Sequence, residues 1–522
     1  MKTLTKTEID EILARATKRK EEILNTPSCY PETGTHYYVD SENGCDENDG
    51  LSPETAWRSM PKVDCADLKA GDVVLFRRGC TFRGTMRSVA GVTYSAYGEG
   101  KKPELVGSIP ASDPNLWVPT RWKNVWMYAN IISYVRDIGA VIFGDGECWG
   151  IKVAKNYKSG ERCDMYRSNG RRGEGVPHGD LDVWNGRKMV HRECIPWTGP
   201  ECLQGDLEFY HDWSAERLYL YCEGGNPAKQ FSSVELSVRY FIFRNRNDNV
   251  TVDNISFKYA GIHAVSSGTC KNFTVRNCEF AWIGGSGMSI EDHVRKEPNI
   301  SYGDDLTRLG NAIEIYGNCD GYTVENNYIR QIYDTGITVQ LDVKNMTADH
   351  ITQNVVWRNN LIDTCHWSLE LWLYSPEETN GFTAAYRNID ISNNMVLNNG
   401  FGWGTQRPDL GDSFFYGGFY GSSNAEFTNY NIHDNVFFNS RANVFTTLSI
   451  GKNGIGFYNN KMYTDSSIGA GGADFEFAKK PFTSYPANDE TLAKLEESGC
   501  WGKGNEFAKL GKTGNTRIPF KF

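Results

Sequence analysis

The 522-residue chain has no long apolar run and no cluster of basic residues. A membrane-spanning helix needs roughly 18 or more consecutive apolar residues, so the sequence predicts no helix of that kind. Nucleic-acid binding needs clustered Lys and Arg, whereas the net charge of this chain is −10. The sequence therefore argues against a membrane and against nucleic acid as partners.

Proline is scarce, and the cysteines lack the spacing of a metal site. With 18 prolines, 53 glycines and 13% aromatic residues, the composition does not suggest disorder. The 14 cysteines include no CxxC pair and no zinc-like spacing with histidine. The chain start also lacks the apolar segment of a secretory signal. We therefore expect reduced thiols in a cytoplasmic protein.

One amphipathic helix is predicted near the start of the chain. Residues 7–25 place their apolar side chains largely on one face, and Thr7 with Asp10 resembles a capping box. We expect this helix to pack on the body of the protein, and self-association through its apolar face is the alternative.

A short motif, an apolar residue followed two positions later by asparagine, recurs along the chain. Spacings of 23 to 49 residues between its copies fit coils of about two dozen residues with loops of variable size, which is typical of a solenoid. We expect the asparagines to point inward and to bond the turns above and below. The motif ends at Asn254, Asn277, Asn326, Asn359, Asn393, Asp434 and Asn459.

Three later strands each carry one carboxylate between two apolar residues. Successive side chains of a strand point to opposite faces, so these triplets bury their flanks and point the acid outward. The acids are Glu314, Asp342 and Glu370, each 28 residues from the next. We expect them to stack on one outer wall.

The first hundred residues are similar to the opening of right-handed parallel β-helix proteins of the pectate-lyase-like superfamily. The likeness lies in Tyr37–Asp40, in an acidic turn over residues 44–54, and in the run Gly71-Asp72-Val73 that leads to Phe76 and Gly79. We interpret the acidic segment as an Asx-rich turn, with a structural calcium site as the alternative. We expect no other cofactor and no metal in the functional site.

The fold class predicted is all-β, a right-handed parallel β-helix with an inserted β-rich, barrel- or sandwich-like domain and a short N-terminal helix. Alternating Tyr and Leu in Glu208–Asp212 and Arg217–Tyr221 predict a hairpin within the insert. Val234–Leu236 is predicted to resume the coils. The predicted divisions are 1–35 for the helix and lead-in, 36–106 for the first coils, 107–238 for the insert, 239–465 for the main β-helix and 466–522 for a C-terminal cap.

Carboxylates on an outer wall favour glycoside hydrolysis, which needs two of them at about 5–5.5 Å for retention or about 6.5–9.5 Å for inversion. In the 28-residue register Asp342 lies beside Glu370, so Asp342 is the expected nucleophile, Glu370 the acid/base and Glu314 its support. Aligning the coils on the asparagines instead puts Thr338 beside Glu370 and makes Asp334 the rival partner.

Aromatic and polar residues around this wall are typical of carbohydrate binding, because sugars pack their C–H faces on aromatic rings. We expect no more than half of the aromatic residues to touch ligand, and a lone histidine is more often structural. The expected substrate-binding residues are Trp367, Trp372, Trp403, Tyr374, His366, His263, Gln340 and Arg407.

The opening coil, the insert with its hairpin run and the later carboxylates resemble bacterial β-helix glycoside hydrolases, namely the β-xylosidases of family 120 and the α-fucosidase/xylanase family 141. The resemblance implies an Asp nucleophile, a Glu acid/base and a second Glu beside the Asp, and exo action on short oligosaccharides. The alternatives are a non-catalytic glycan-binding β-helix protein and a polysaccharide lyase. The sequence leaves the sugar, the anomer and the oligomeric state open.

Overall fold

A computed structural model gives the fold of most of the chain. It contains no helix, in the part of the chain that it describes, that is long and apolar enough to cross a membrane. The residues described are 1–132, 137–155, 162–163, 181–192, 195–212, 215–287, 308–342, 346–374, 380–406, 413–420, 426–446, 455–470, 485–497, 502–512 and 517–519.

Most strands belong to three parallel sheets, which the chain visits in a fixed order. We call them sheets 1, 2 and 3. From residue 250 onward each strand of sheet 1 is followed by one of sheet 2 and one of sheet 3, and each pairs in parallel with the strand one circuit later. This arrangement is consistent with a parallel β-helix.

The bounds of the strands are as follows. Sheet 1 contains His36–Val39, Val73–Arg77, Thr93–Tyr97, Val250–Asp253, Cys270–Arg276, Cys319–Glu325, His350–Arg358, Ala384–Ser392, Glu426–His433 and Ile455–Tyr458. Sheet 2 contains Thr81–Arg83, Glu104–Val106, Ser256–Lys258, Glu279–Ile283, Tyr328–Ile332, Leu361–Asp363, Met395–Asn399, Val436–Ser440, Lys461–Tyr463, Glu506–Lys509 and Lys2–Thr3. Sheet 3 contains Met86–Arg87, Phe241–Asn245, His263–Ser267, Ile313–Tyr316, Thr335–Asp342, Trp367–Tyr374, Ser413–Tyr420, Asn443–Thr446 and Ser467–Ala470.

The recurring motif marks the turn from sheet 1 to sheet 2. Its asparagine is buried at Asn254 and Asn277, but from Asn326 onward it does not form the inward ladder that we expected. That residue adopts a left-handed backbone conformation, as at Asn326 with φ 56°. The residue that follows it is the buried one: Asn327 Nδ2 donates to Asn360 Oδ1, and Asn360 Nδ2 donates to Asn394 Oδ1. The ladder continues through Asn435, Asn460 and Asn505.

The apolar residue of the motif lies in the core between the sheets. Neighbouring copies of it pair directly between strands of sheet 1, so they stack in one column. Each fully buried side chain of this kind contributes roughly 1.5–3 kcal/mol to folding. The column consists of Val252, Val275, Val324, Trp357, Ile391, Ile432 and Phe457, all buried.

The N-terminal helix spans Lys6–Asn25 and lies along the outside of sheet 2. Its cap is Thr5 with Glu8, not Thr7 with Asp10, because the side chain of Thr5 accepts the N–H of Glu8 and the helix begins one residue earlier than predicted. Its buried residues belong to one apolar cluster with side chains from six successive strands of sheet 2. The cluster contains Ile12, Ala16 and Ile23 of the helix together with Tyr328, Leu361, Met395, Leu397, Val436, Phe438, Tyr463 and Ala508.

Between the sheet 2 strand that ends at Val106 and the sheet 3 strand that begins at Phe241, the chain forms separate sheets that include antiparallel pairs. The predicted hairpin is confirmed, but Val234–Ser237 lies in a sheet of this insert, so the coils resume at Phe241. The strands of the insert are Ser108–Pro110, Trp117–Pro119, Val125–Tyr128, Ala140–Phe143, Cys148–Trp149, Ile151–Lys152, Ala154–Lys155, Arg162–Cys163, Leu181–Trp184, Met189–Arg192, Glu208–Asp212, Arg217–Tyr221 and Val234–Ser237.

Short helices complete the described fold. In the acidic turn, Asp46 accepts the backbone N–H groups of Arg58 and Ser59, and Asp49 accepts that of Leu51. Those carboxylates thus serve the turn itself, as in an Asx-rich turn. The remaining helical segments are Pro53–Thr55, Met60–Cys65, Pro114–Leu116, Gly144–Gly146, Pro200–Cys202, Pro227–Gln230, Trp403–Gln406 and Asp489–Glu497, and the short pair Ser286–Gly287 and Arg308–Leu309 is antiparallel.

Candidate active site

Two of the predicted acids lie in one row of outward-facing residues that pair across the strands of sheet 3, which we call the outer row. Glu314 pairs with Thr338, and Thr338 pairs with Glu370. The 28-residue register is therefore wrong, since Asp342 pairs with Tyr374 and lies about 13 Å farther along its strand than Thr338. An equal spacing in sequence does not give an equal register here, because the loops between coils differ in length. The register set by the asparagines is the correct one.

Asp334 and Glu370 approach each other through one hydroxyl group. The Thr335 Oγ1 atom lies 3.0 Å from Glu370 Oε2 and 3.5 Å from Asp334 Oδ1. Because both distances share this oxygen, the two carboxylate oxygens are separated by no more than their sum. A separation within this bound can match the retaining distance of about 5–5.5 Å, and its largest value only reaches the lower end of the inverting range of about 6.5–9.5 Å.

Glu314 is held by an amide network that also reaches the strand of Asp334. Asn311 Nδ2 donates to Glu314 Oε2 at 2.6 Å, while Asn311 Oδ1 accepts the N–H of Thr335 at 3.0 Å. Gln340 Nε2 donates to the same Glu314 oxygen at 3.2 Å. One asparagine thus fixes two neighbouring strands and the acids they carry.

His263 completes this network on the other side of Glu314. Its Nδ1 accepts the N–H of Asn311 at 3.2 Å and lies 3.2 Å from Glu314 Oε2. Burial lowers the pKa of His263 to about 4, against the opposing charge of Asp334. The imidazole is therefore neutral at physiological pH.

Glu314 has the opposite shift. Burial raises its pKa to about 7, and the nearby charge of Asp334 adds to the rise, whereas the hydrogen bonds from Asn311 and Gln340 oppose it. A carboxyl with this pKa is about half protonated at neutral pH. It can hold a proton beside an ionised neighbour, which is what acid–base catalysis requires.

The acids of the site are buried and, within the described part of the chain, do not have the geometry of a metal cage. The exposed fractions of Glu314, Asp334 and Glu370 are 4%, 5% and 4%. Among the described residues, their oxygens do not all lie within 4.8 Å of one another. The group that does meet this distance is Asp40, Glu42 and Cys80, where Arg77 already pairs with Asp40 at 2.8 Å.

The structure separates the expected substrate-binding residues into three groups. Trp403 and His366 are fully buried, and the Trp403 indole N–H donates to the Gln331 carbonyl, so as placed these rings pack within the protein. His263 and Gln340 contact Glu314, while Trp367 is 4% exposed and Trp372 is partly exposed beside Gln340. Arg407 and the side chains of Asp342 and Tyr374 lie outside the described residues.

Sequence reasoning missed the two residues that connect the acids, Asn311 and Thr335. Thr335 is the first residue of its sheet 3 strand and follows Asp334, while Asn311 lies two residues before its strand and three before Glu314. The apolar–acid–apolar pattern selects residues in the middle of a strand, and therefore it does not select Asn311 or Thr335. The signal that could have found them is a polar residue two positions before the first isoleucine of the strand, as in Asn311 before Ile313 and Thr335 before Ile337.

The inserted domain contacts the wall beside this site through a buried ion pair. Lys152 contacts the carboxylate of Asp137, and its ammonium group also donates to the carbonyl of Gly285 at 3.3 Å. The Lys152 N–H donates to Gln406, in the segment whose Trp403 ring lies 5.0 Å from that of Tyr333. Tyr333 precedes Asp334, so the insert braces the start of the Asp334 strand.

Comparison with known proteins gives limited similarity. No family model matches the chain. In an alignment of 125 residues that covers 22% of the chain, the sequence is 33% identical to a lacto-N-biosidase from Bifidobacterium longum subsp. longum. The match covers 8% of that protein's length, so the chain matches only a small part of that curated relative.

Several solved structures resemble the chain weakly over most of its length. XylC in complex with xylose is 14% identical with a TM-score of 0.37, covering 93% of this chain and 86% of XylC. A GH136 lacto-N-biosidase from Eubacterium ramulus is 13% identical with a TM-score of 0.32, covering 96% of this chain and 71% of that one. The family 28 exopolygalacturonase of Yersinia enterocolitica is 11% identical with a TM-score of 0.35, covering 93% and 80%. At these scores the likenesses carry no argument.

Proposed function

We propose that this protein is a glycoside hydrolase in which Asp334 and Glu370 are the catalytic pair. The observation that carries the proposal is the approach of these two carboxylates through the Thr335 hydroxyl, with Glu314 on the next coil. Glycoside hydrolysis needs two carboxyl groups at about this separation. The stretch of sequence similar to a lacto-N-biosidase agrees with the same chemistry.

The separation favours a retaining mechanism. Asp334 attacks the anomeric carbon while Glu370 protonates the leaving oxygen, and Glu370 then activates the water that releases the sugar from Asp334. Asp334 thus takes the role expected of Asp342. Glu314, with its pKa of about 7, holds a proton beside Asp334 and so limits the repulsion between the two carboxyl groups.

Two further groups in the wall are suited to a sugar. One is the hydroxyl of Thr338, a residue that pairs with both Glu314 and Glu370, and the other is the indole N–H of Trp372, which pairs with Gln340. Neither has a hydrogen-bond partner in the described part of the chain. Buried polar groups are nearly always bonded, so these two are the ones that a bound sugar and its waters would satisfy. The small exposed fraction of the acids fits exo action on one terminal sugar.

A screen of aryl glycosides tests the proposal, with the anomer of the first product followed by NMR. We expect hydrolysis of at least one glycoside with retention of configuration, and loss of activity in Glu370→Gln. Glycan binding without turnover would instead indicate a binding protein. An unsaturated product that absorbs in the ultraviolet would indicate a lyase, and either result would remove the hydrolase assignment.

A further inference from the structure

Arg244 lies on the same outer row as the acids. It pairs with Ser266, and Ser266 pairs with Glu314. Two steps between parallel strands place the backbones of Arg244 and Glu314 about 10 Å apart. Both side chains lie on the outer side of sheet 3, because their apolar neighbours Phe243, Val265 and Ile313 are buried in the core.

Arg244 has a restricted setting and makes no ion pair, although the charge of Glu314 acts on its guanidinium and opposes the lowering of its pKa. Its guanidinium lies 5.1 Å from the Phe241 ring, and no hydrogen bond or ion pair to the guanidinium is found among the described residues. Burial lowers the pKa of Arg244, so the charge is partly desolvated. Arg87 occupies the next position in the row and differs in this respect, because it pairs with Asp64 at 2.6 Å.

The surroundings of Arg244 continue into the candidate site. The Tyr240 ring lies 6.0 Å from Phe241 and 5.7 Å from His263, which in turn contacts Glu314. Tyr240, Phe241 and Arg244 are all partly exposed. An aromatic surface with a cation at its edge therefore runs from Arg244 to the acids.

We propose that Arg244 binds an anionic substituent of the sugar held in this site, either the carboxylate of a uronic acid or a sulfate ester. The proposal rests on the glycosidase function proposed above and specifies its substrate class. The ionised carboxylates of the site would repel such a substrate. A planar guanidinium offers two parallel N–H donors that match a carboxylate or sulfate. It would therefore offset this repulsion at the anionic substituent of the sugar.

Calorimetric titration with glucuronic acid, galacturonic acid, glucose 6-sulfate and glucose tests the proposal without requiring turnover. We expect at least one acidic sugar to bind about tenfold or more tightly than glucose, since hydrogen bonds between charged groups are stronger than those between neutral groups. Arg244→Met should remove this preference, Arg244→Lys should keep part of it, and Arg87→Met should keep all of it. Uronic acids and the sulfated sugar distinguish the two anions.

The proposal is overturned if no acidic sugar binds better than glucose, or if Arg244→Met keeps the preference with an unchanged melting temperature. Hydrolysis of an aryl uronide and the matching neutral glycoside separates the two proposals. Acid-specific binding through Arg244 without hydrolysis of any glycoside contradicts the glycosidase function alone. Hydrolysis that is equal for both glycosides and insensitive to Arg244→Met contradicts the role of Arg244 alone.

Discussion

At the scale of single residues, the account depends on which carboxylate faces Glu370. The sequence could identify Glu314 and Glu370 as outward acids, because their apolar neighbours set the face of the strand. It could not decide between Asp334 and Asp342, since both have the parity of outward residues and both lie four residues from Thr338, which pairs with Glu370. Only the contacts of the Thr335 hydroxyl with Glu370 and Asp334 distinguish them. A register of this kind depends on loop lengths that periodicity does not specify.

The protonation of Glu314 gives a testable pH dependence of activity. Since burial raises its pKa to about 7, the protonated form is lost as the pH rises through 7. We expect kcat/KM of the wild type to fall on this alkaline side, and Glu314→Gln to move the fall to higher pH because the amide stays neutral. A pH–rate profile of both proteins checks this. A hundredfold loss in Glu314→Gln at every pH would instead make Glu314 the general acid.

The same group affects stability in a predictable direction. The pKa of Glu314 in the folded protein lies above its ordinary value of 4.5. The contribution of this group to the free energy of unfolding is therefore fully present below about pH 4.5 and is lost as the pH rises through 7. The shift corresponds to about 3 kcal/mol. We expect denaturant titrations to show that Glu314→Gln lacks this loss between pH 5 and pH 8. Equal pH dependence in both proteins would exclude the shift.

At the scale of elements, the repeated asparagine motif shows how far a sequence pattern reaches. It predicted a turn in each coil, and the turns lie where the motif does. It assigned the buried ladder to the wrong member of each turn, because asparagine serves both a left-handed turn position and a stacked amide. Only the strand ends in the structure show that Asn327 and Asn360 point inward while Asn326 and Asn359 form the bend.

Asn360 is the residue through which the ladder can be tested. Its side chain accepts from the N–H and side chain of Asn327, and it donates to Asn394 and to the Val324 carbonyl. Asn360→Leu leaves several buried groups unpaired at about 1–3 kcal/mol each, so we expect the unfolding free energy to fall by about 3 kcal/mol or more. Denaturant unfolding measures this.

Asn354→Gly is the matched control, because Asn354 is exposed and its φ of 56° suits glycine. We expect a change of less than about 1 kcal/mol in this variant. Similar losses in both variants would mean that the buried ladder adds nothing specific to stability.

At the scale of the whole molecule, the N-terminal helix joins distant coils. Strand Lys2–Thr3 pairs with Glu506–Lys509, while Thr26, just after the helix, accepts a hydrogen bond from Asn254. A helix of this length spans about 30 Å, which exceeds the roughly 24 Å from the first to the last of the six strands in its apolar cluster. The amphipathic pattern predicted a packed helix, but not that it runs along the coils, because no local pattern encodes contacts between the chain ends.

Ala16 tests the packing of this helix. It is fully buried, so Ala16→Asp places an unpaired charge between the helix and sheet 2. We expect the unfolding free energy to fall by roughly 3–5 kcal/mol. Lys18→Ala is the control, since the Lys18 side chain is 77% exposed, and it should unfold like the wild type. An unchanged melting temperature in Ala16→Asp would exclude a packed helix.

The central claim, that Asp334 rather than Asp342 acts with Glu370, is tested most directly by two isosteric variants. We expect Asp334→Asn to lower kcat on the best aryl glycoside by a thousandfold or more, while Asp342→Asn keeps kcat within about tenfold of the wild type. Both variants should keep the melting temperature of the wild type. Full activity in Asp334→Asn, with loss confined to Asp342→Asn, would contradict the site described here.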